Sequence, residues 1–260
     1  TKAAEAIGWG RDLPPNHGLG IASTINVGGG ARIYRSDGCG SIVKVDDFGK
    51  VTLISGTTEI GQGSETAMSL IVAEELGVLH EDVSVINTDT DVKPWDVGCH
   101  ASRTTFIGGN SALLAAREAK IKILDFAAGL LETPAEDLDI RDRMVFVKAD
   151  PDKTVPISTC VRKMHFRPGG SGVVGEAFYD PPNQMMDRRY YGNISVTYGF
   201  GAQAAEVKVD PDTGEVTVIK LVAVHDAGQV INPLAAHGQI EGGAAMGLGY
   251  GLTEELLLDP

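Results

Sequence analysis

The sequence predicts an α+β fold built from mixed sheets, antiparallel hairpins and packing helices. Two turn signals, Asp46–Lys50 (DDFGK) and Asp210–Gly214 (DPDTG), each separate a pair of β-rich runs and predict a hairpin. A helical run, SETAMSLIVAEELG, lies between the strands VTLISG and VSVIN and predicts a crossover connection. Hairpins beside crossover helices are typical of a mixed fold.

Length and composition describe a globular protein with a sizeable core. The 260 residues allow one large domain or two smaller lobes, and 43% of them are hydrophobic. The net charge of −13 argues against nucleic acid or an anionic membrane as a partner. The three cysteines form no C-x-x-C pair, which argues against an iron–sulfur cluster held within this chain. Their sparse, odd number favours a reducing, cytoplasmic compartment.

The other elements are predicted along the chain from their periodicity and turn signals. The expected order is a helix end within residues 1–10, a strand over 20–30, Tyr34–Asp37 leading into the strand SIVKV, a helix from about 106 to 131, a hairpin over 138–148, an irregular Pro/Gly-rich region over 152–192, two long strands over 193–228 and a glycine-rich C-terminal helix.

The stretch Gly56–Thr66, GTTEIGQGSET, is the first candidate ligand site. Gly61 and Gly63 flank Gln62 where a strand leads into a helix. Glycines let a backbone approach a ligand closely, and the N–H groups at a helix start attract anions. The stretch therefore predicts a cradle for a phosphorylated ligand with the Gln62 amide directed into it. An ordinary glycine-rich turn is the alternative, because short glycine motifs recur by chance.

Two further stretches carry polar groups suited to the same ligand. In His100–Asn110, HASRTTFIGGN, the hydroxyls of Ser102 and Thr104 can cap the next helix or donate to phosphate, and Arg103 can pair with a phosphate or face solvent. In Asp226–Gly243, an Asn-Pro pair predicts a helix start, the glycines leave room for a flat ligand, and Gln239 can recognise it by hydrogen bonds. The first of these two stretches is also compatible with an ordinary polar loop capped by a Ser or Thr.

Taken in order, GTTEIGQGSET, HASRTTFIGGN and DAGQVINPLAAHGQIEGG resemble the molybdenum-cofactor subunit of the xanthine dehydrogenase/aldehyde oxidase family. The strand pair YGFGAQAAEVKVDPDTGEV is similar as well. The resemblance implies molybdopterin with molybdenum, in bacterial members often the cytosine dinucleotide form. It also implies an aldehyde, N-heterocycle or aryl-CoA substrate, as in 4-hydroxybenzoyl-CoA reductase. Iron–sulfur and FAD groups are then expected on partner subunits or domains.

The resemblance also assigns positions to the cofactor. Gln62 corresponds to a cofactor contact, residues 101–104 to a segment along the pterin and phosphates, and Gln239 to a hydrogen bond with the pterin. The expected cofactor-binding residues are Gly61, Gln62, Gly63, Ala101, Ser102, Arg103, Thr104 and Gln239.

The sequence departs from the family pattern at the catalytic base, which members of the family carry in a later Gly-x-Gly-Glu motif. Glu176 is similar locally but precedes the long strand pair, and is interpreted as a turn or loop residue. Residues 1–260 are therefore expected to be the second half of the cofactor-binding domain without the catalytic segment. No catalytic residue and no metal ligand are predicted here, and the chain alone is expected to be inactive. The alternative is a non-catalytic phosphate- or nucleotide-binding module that keeps the fold without metal.

Two side-chain environments are also predicted for the polar loop over 88–105. Asp89, Asp91 and Asp96 are expected to be solvated, since their spacing fails the calcium-loop pattern. Cys99 is expected to be a buried thiol, which is the commoner state of a free cysteine.

Overall fold

A computed structural model describes residues 2–30 and 36–258. The chain divides into two compact units: unit 1 is Thr1–Asn26 with Tyr198–Pro260, and unit 2 is Val27–Thr197. Tyr34, predicted to lead into the second strand, lies outside the described residues.

The described part of the chain contains five α-helices interspersed with ten strands. The helices are α1 (Lys2–Ile7), α2 (Ser64–Leu76), α3 (Gly109–Leu131), α4 (Ile157–Phe166) and α5 (Pro233–Leu252). The strands are β1 (His17–Val27), β2 (Cys39–Val45), β3 (Val51–Ser55), β4 (Val83–Ile86), β5 (Leu138–Arg141), β6 (Met144–Val147), β7 (Asp150–Pro156), β8 (Val173–Tyr179), β9 (Tyr198–Val209) and β10 (Val216–Asp226).

The main sheet of unit 2 is mixed, as predicted, with strand order β4-β3-β2-β8. Strand β2 is antiparallel to β3 and β8, whereas β3 and β4 are parallel and joined through α2. In the β2–β3 turn the Asp46 carboxylate accepts from the N–H groups of Phe48 and Lys50, each at 2.9 Å. Strand β4 lies at the sheet edge, where Ile86 is 40% exposed.

Helix α3 packs on β2 and β8 through small side chains. Ala112, Ala115 and Ala119 are fully buried, whereas Leu114 and Ile121 are 38% and 52% exposed. A Cβ at Gly175 of β8 would lie only 2.0 Å from the Ala115 carbonyl oxygen. At this point the β8 backbone therefore lies too close to α3 for a leucine side chain to fit between them. The periodicity predicts the helix correctly, but several of its large apolar residues, such as Leu114 and Ile121, lie off the buried face.

The predicted hairpin over 138–148 is confirmed as β5 and β6, and β7 completes their antiparallel sheet. The region over 152–192 is predicted to be irregular, but it contains most of β7 and all of α4 and β8, so that prediction is wrong for these elements. Helix α4 buries Ile157, Cys160, Val161 and Met164, which recur at the spacing of one helical face. Pro156 immediately precedes this helix, so this proline marks the start of an element rather than disrupting one.

Unit 1 contains the sheet β1-β9-β10 with helices α1 and α5. The predicted hairpin is present, with Val209 opposite Val216, and β1 begins at His17, three residues before the predicted strand over 20–30. Helix α5 begins after Asn232, whose side-chain oxygen accepts from the Ala235 N–H at 3.1 Å, and has Pro233 in its first turn as predicted.

None of the helices in the described part of the chain combines the length and apolarity needed for a membrane span.

Candidate cofactor site

The Gly-Gln-Gly loop between β3 and α2 is a tight turn beside open space. Gly61 and Gly63 adopt φ angles of 98° and 80°, in the left-handed region that favours glycine. The Gln62 side chain is held by its own loop: its oxygen accepts from the Ile60 N–H at 2.6 Å, and its amide donates to the Thr58 carbonyl at 2.9 Å. A Cβ added at Gly61 or Gly63 would meet no atom within 4 Å. A flat ligand can therefore reach the backbone here.

The carboxylate of Glu59 lies at the start of α2. The motifs in the sequence did not single out this residue. One carboxylate oxygen accepts from the N–H groups of Gly61 and Gly63 at 2.7 and 3.0 Å. The other accepts from the Ser64 hydroxyl at 2.9 Å and the Glu65 N–H at 3.1 Å. Partial burial acts to raise the pKa of Glu59, but the donors, Gly63 foremost, outweigh it and lower the pKa to about 2.

The helix start predicted to bind a phosphate thus already holds an anion supplied by the chain itself. An acidic residue two positions before a Gly-x-Gly helix start is the sequence signal for this arrangement.

The second loop has an unusual backbone that turns Ser102 outward. Ala101 and Ser102 have φ angles of 46° and 54°, a region that non-glycine residues rarely adopt, and Gly98 has φ 118°. The Ala101 carbonyl accepts from the Gly29 N–H at 2.8 Å. Thr104–Gly108 forms a π-helical turn that leads into α3. Ser102 is exposed, and Thr104 is buried with its hydroxyl directed to Cys99.

Arg103 is fully buried and all five of its N–H donors are engaged by protein acceptors. Its Nε donates to the Asp37 carboxylate at 2.7 Å, and one terminal nitrogen donates to the Asp96 carboxylate at 2.7 Å and the Gly98 carbonyl at 2.9 Å. The other donates to the carbonyls of Asp37 and Gly38 at 2.6 and 2.9 Å. A guanidinium–phosphate contact would require one of these bonds to break.

Two predicted environments in this loop are wrong. Asp96 is a buried ion-pair partner of Arg103 rather than a solvated residue. Cys99 is exposed rather than buried, while the other cysteines, Cys39 and Cys160, are buried. Burial raises the pKa of Cys39 to about 12 and that of Cys160 to about 11.

Cys99 joins two of the stretches singled out in the sequence. The Gln62 amide nitrogen lies 3.6 Å from the Cys99 sulfur, and the Thr104 hydroxyl lies 3.5 Å from the same atom. The Gly-Gln-Gly loop and the 101–104 segment are therefore neighbours within unit 2.

Gln239, from the third stretch, lies on α5 of unit 1 with its side chain exposed. The same unit has an open groove of about 810 Å³, lined by residues of this stretch that include Asp226, Gly228 and His237. Gln239 is not among the residues that line it. The meeting of all three stretches at one ligand remains a prediction.

Glu176 lies within β8, opposite Ile42 of β2, so its interpretation as a turn or loop residue is wrong. Its N–H donates to the Glu118 carboxylate at 2.7 Å. Among residues 2–30 and 36–258, no group of three or more His, Cys, Asp or Glu side chains is placed to hold a metal ion.

Comparison with known proteins supplies the family. Residues 3–260 match the family model of the molybdopterin cofactor-binding domain. The chain is 34% identical over 224 residues to the xanthine dehydrogenase molybdenum-binding subunit of Escherichia coli O157:H7, covering 85% of this chain and 28% of that subunit. It is 32% identical over 217 residues to the 6-hydroxypseudooxynicotine dehydrogenase complex subunit gamma of Paenarthrobacter nicotinovorans, covering 84% of this chain and 26% of that subunit.

A solved structure supports the same family assignment. Quinoline 2-oxidoreductase from Pseudomonas putida 86 matches with a TM-score of 0.82 and 31% identity, over 99% of this chain and 32% of that chain. The chain thus spans less than a third of each of these relatives. The chain belongs to the family of molybdopterin cofactor-binding domains of the xanthine dehydrogenase type.

Proposed function

We propose that the Gly-Gln-Gly loop and the 101–104 segment form part of a molybdopterin site in an oxidoreductase of the xanthine dehydrogenase type. The observation that carries this proposal is the contact of Gln62 and Thr104 with the same Cys99 sulfur. Two stretches that the sequence singled out separately lie side by side, next to glycines that face open space.

The chemistry of these residues fits such a cofactor. A pterin is flat and carries hydrogen-bond donors and acceptors along its edge, which match the two-sided amide of Gln62. Gly61, Gly63 and Gly98 each have no atom within 4 Å of an added Cβ, so a planar ligand can approach their backbone. The bound cofactor would supply two-electron redox chemistry at its molybdenum, which its own dithiolene holds.

The residues of this chain would bind and orient the cofactor rather than take part in bond making. Gln62 would offer the pterin edge the second lone pair of its amide oxygen, since its NH₂ group donates to Thr58 and contacts Cys99. Gln239 would offer its amide from α5. Ser102 and Thr104 would offer hydroxyls to the phosphate-bearing arm, the Thr104 hydroxyl in exchange for its contact with Cys99, because the Glu59 carboxylate already accepts from Gly63 and Glu65 at the start of α2. Arg103 would act indirectly: its hydrogen bonds to Asp96 and Gly98 would hold the loop over residues 96–103 in place beside the cofactor.

The finer assignments belong to the whole protein and follow from the family. We propose the cytosine dinucleotide form of the cofactor, partner subunits or domains that carry iron–sulfur and flavin groups, and a cytoplasmic location. The substrate would be an aldehyde, an N-heterocycle or an aryl-CoA, with 4-hydroxybenzoyl-CoA reductase as one candidate activity. The relatives named for xanthine, quinoline and 6-hydroxypseudooxynicotine chemistry support the N-heterocycle class.

A Gln62→Ala substitution in the full-length protein tests the cofactor assignment. We expect molybdenum per protein to fall several-fold while the melting temperature changes little, because Gln62 is only half-buried in a surface loop. Gln184→Ala, which removes an exposed amide elsewhere in unit 2, should leave the molybdenum content unchanged. Elemental analysis and thermal unfolding measure both quantities.

Unchanged molybdenum in Gln62→Ala would contradict the assignment. A wild-type protein that carries nucleotide but no molybdenum would instead favour the non-catalytic module. Release of cytidine monophosphate on acid hydrolysis of the wild-type protein would identify the dinucleotide form.

A further inference from the structure

The carboxylate of Glu59 makes four hydrogen bonds that surround Gln62. It accepts from the N–H groups of Gly61 and Gly63, which directly precede and follow Gln62, and from two groups in the first turn of α2. Three of the four donors are backbone N–H groups, so their positions depend on the loop conformation. Hydrogen bonds to an ionised acceptor are about twice as strong as neutral ones.

The loop needs such an anchor because its glycines are intrinsically free. Gly61 and Gly63 hold left-handed φ angles and have no side-chain packing around them, so without an anchor they could exchange among many conformations. Gln62 in turn accepts from the Ile60 N–H at 2.6 Å, so the position of its amide follows the loop backbone. A change at the Glu59 carboxylate therefore moves the Gln62 side chain.

The same geometry disfavours a competing role for this helix start. The positive end of α2 would otherwise attract a phosphate, but two of its N–H groups, those of Gly63 and Glu65, already donate to the Glu59 carboxylate. The low pKa of about 2 agrees with a carboxylate that stays ionised in this position. A phosphate bound here would lie against the Glu59 carboxylate and would have to compete with it for these two donors.

We infer that Glu59 is a positioning residue: its carboxylate acts as the internal anion of the Gly-Gln-Gly loop and holds Gln62 in place for the cofactor. The part that concerns the cofactor rests on the proposed function. The part that concerns the loop does not, and it can be measured without cofactor.

Amide hydrogen exchange in the cofactor-free full-length protein tests the loop first. In Glu59→Gln, one oxygen is replaced by an NH₂ group that cannot accept, and the other oxygen becomes a neutral, weaker acceptor. We therefore expect the amides of residues 61, 63 and 65 to exchange on the order of tenfold faster. Glu59→Asp keeps the charge and should restore part of the protection. Glu65→Gln removes a charge from the same helical turn but leaves its backbone donor, and should change exchange little.

Molybdenum retention in the loaded protein tests the second step. We expect Glu59→Gln to lose molybdenum faster than wild type during dialysis, with Glu59→Asp intermediate and Glu65→Gln like wild type. Added inorganic phosphate should not alter exchange in the wild-type loop, because Glu59 holds the site.

The outcomes separate the two proposals. Unchanged exchange in Glu59→Gln overturns the positioning role, as does protection of the wild-type loop by phosphate. Faster exchange with unchanged molybdenum retention also overturns it, provided that Gln62→Ala lowers the molybdenum content. If Gln62→Ala leaves the content unchanged as well, the cofactor assignment itself fails, whereas faster exchange in Glu59→Gln would still support the role of Glu59 as the anchor of the loop.

Discussion

Arg103 and Glu59 each bring several backbone segments together through one charged group. Arg103 ties residues 37–38 to 96–98, and Glu59 ties the Gly-Gln-Gly loop to the start of α2. Arg103 is enclosed and has two carboxylate partners, whereas Glu59 faces only neutral donors. Their contributions to stability therefore differ in kind: the first is a buried ion-pair network and the second is a loop anchor.

Removal of the Arg103 charge should be costly. In Arg103→Met, Asp37 and Asp96 would lose their buried partner, so we expect the free energy of unfolding to fall by about 3–5 kcal/mol. Arg117→Met removes an arginine of unit 2 whose side chain is 52% exposed and pairs with Glu75, and should cost roughly 0–1 kcal/mol. Urea unfolding measures both, and equal costs would contradict a structural role for Arg103.

At the level of elements, Asp82 connects the corner between α2 and β4 to the β5–β6 turn. Its carboxylate accepts from Lys50 at 2.6 Å and from Arg143 at 2.6 and 2.9 Å. The Arg143 hydrogen bonds are the largest cause that lowers the pKa of Asp82 well below its ordinary value of 3.8. Both basic partners are about half exposed, which weakens the pairs through solvent screening.

This network predicts a pH-dependent stability. A carboxyl whose pKa is lower in the folded state stabilises the fold above its ordinary pKa and loses that contribution as the pH falls below it. We expect Asp82→Asn to cost about 2 kcal/mol at pH 7 and progressively less below about pH 4. Asp125→Asn, at an exposed position on α3, should change little at either pH. Urea titrations at pH 7 and pH 3 measure this, and a cost independent of pH would exclude the mechanism.

The sequence predicted element types well where local signals determine them. Helix α2 ends at Leu76 because Gly77 takes the left-handed cap, and the DDFGK turn forms through its own Asp46 side chain. Local signals could not predict which face of α3 is buried, since this depends on how closely the β8 backbone approaches Ala115. The elements within 152–192 were missed because prolines and glycines at their ends were read as irregular structure.

The candidate site shows the same limit. Motif spacing selected Gln62 and Thr104, which both contact Cys99. For Arg103 the motif predicted only a contact with phosphate or solvent, and it did not single out Glu59. The ion pairs of Arg103 and the loop contacts of Glu59 both depend on donors and acceptors that come together only in the folded chain.

At the scale of the molecule, the chain consists of two compact units that each carry part of the predicted site. Unit 2 holds Gln62 and residues 101–104, and unit 1 holds Gln239 on a helix whose side chains are largely exposed. A chain that spans less than a third of its relatives also leaves substrate recognition to the whole protein.

Alkylation of Cys99 measures cofactor binding at this site directly. The Cys99 thiol is exposed beside Gln62, whereas the high pKa and burial of Cys39 and Cys160 make them slow to react. In the full-length protein, a maleimide should label Cys99 several-fold more slowly when the molybdenum cofactor is bound than in cofactor-free protein, and Cys99→Ser should abolish the fast phase. Equal labelling rates at Cys99 in the two forms would contradict the location of the cofactor beside Gln62.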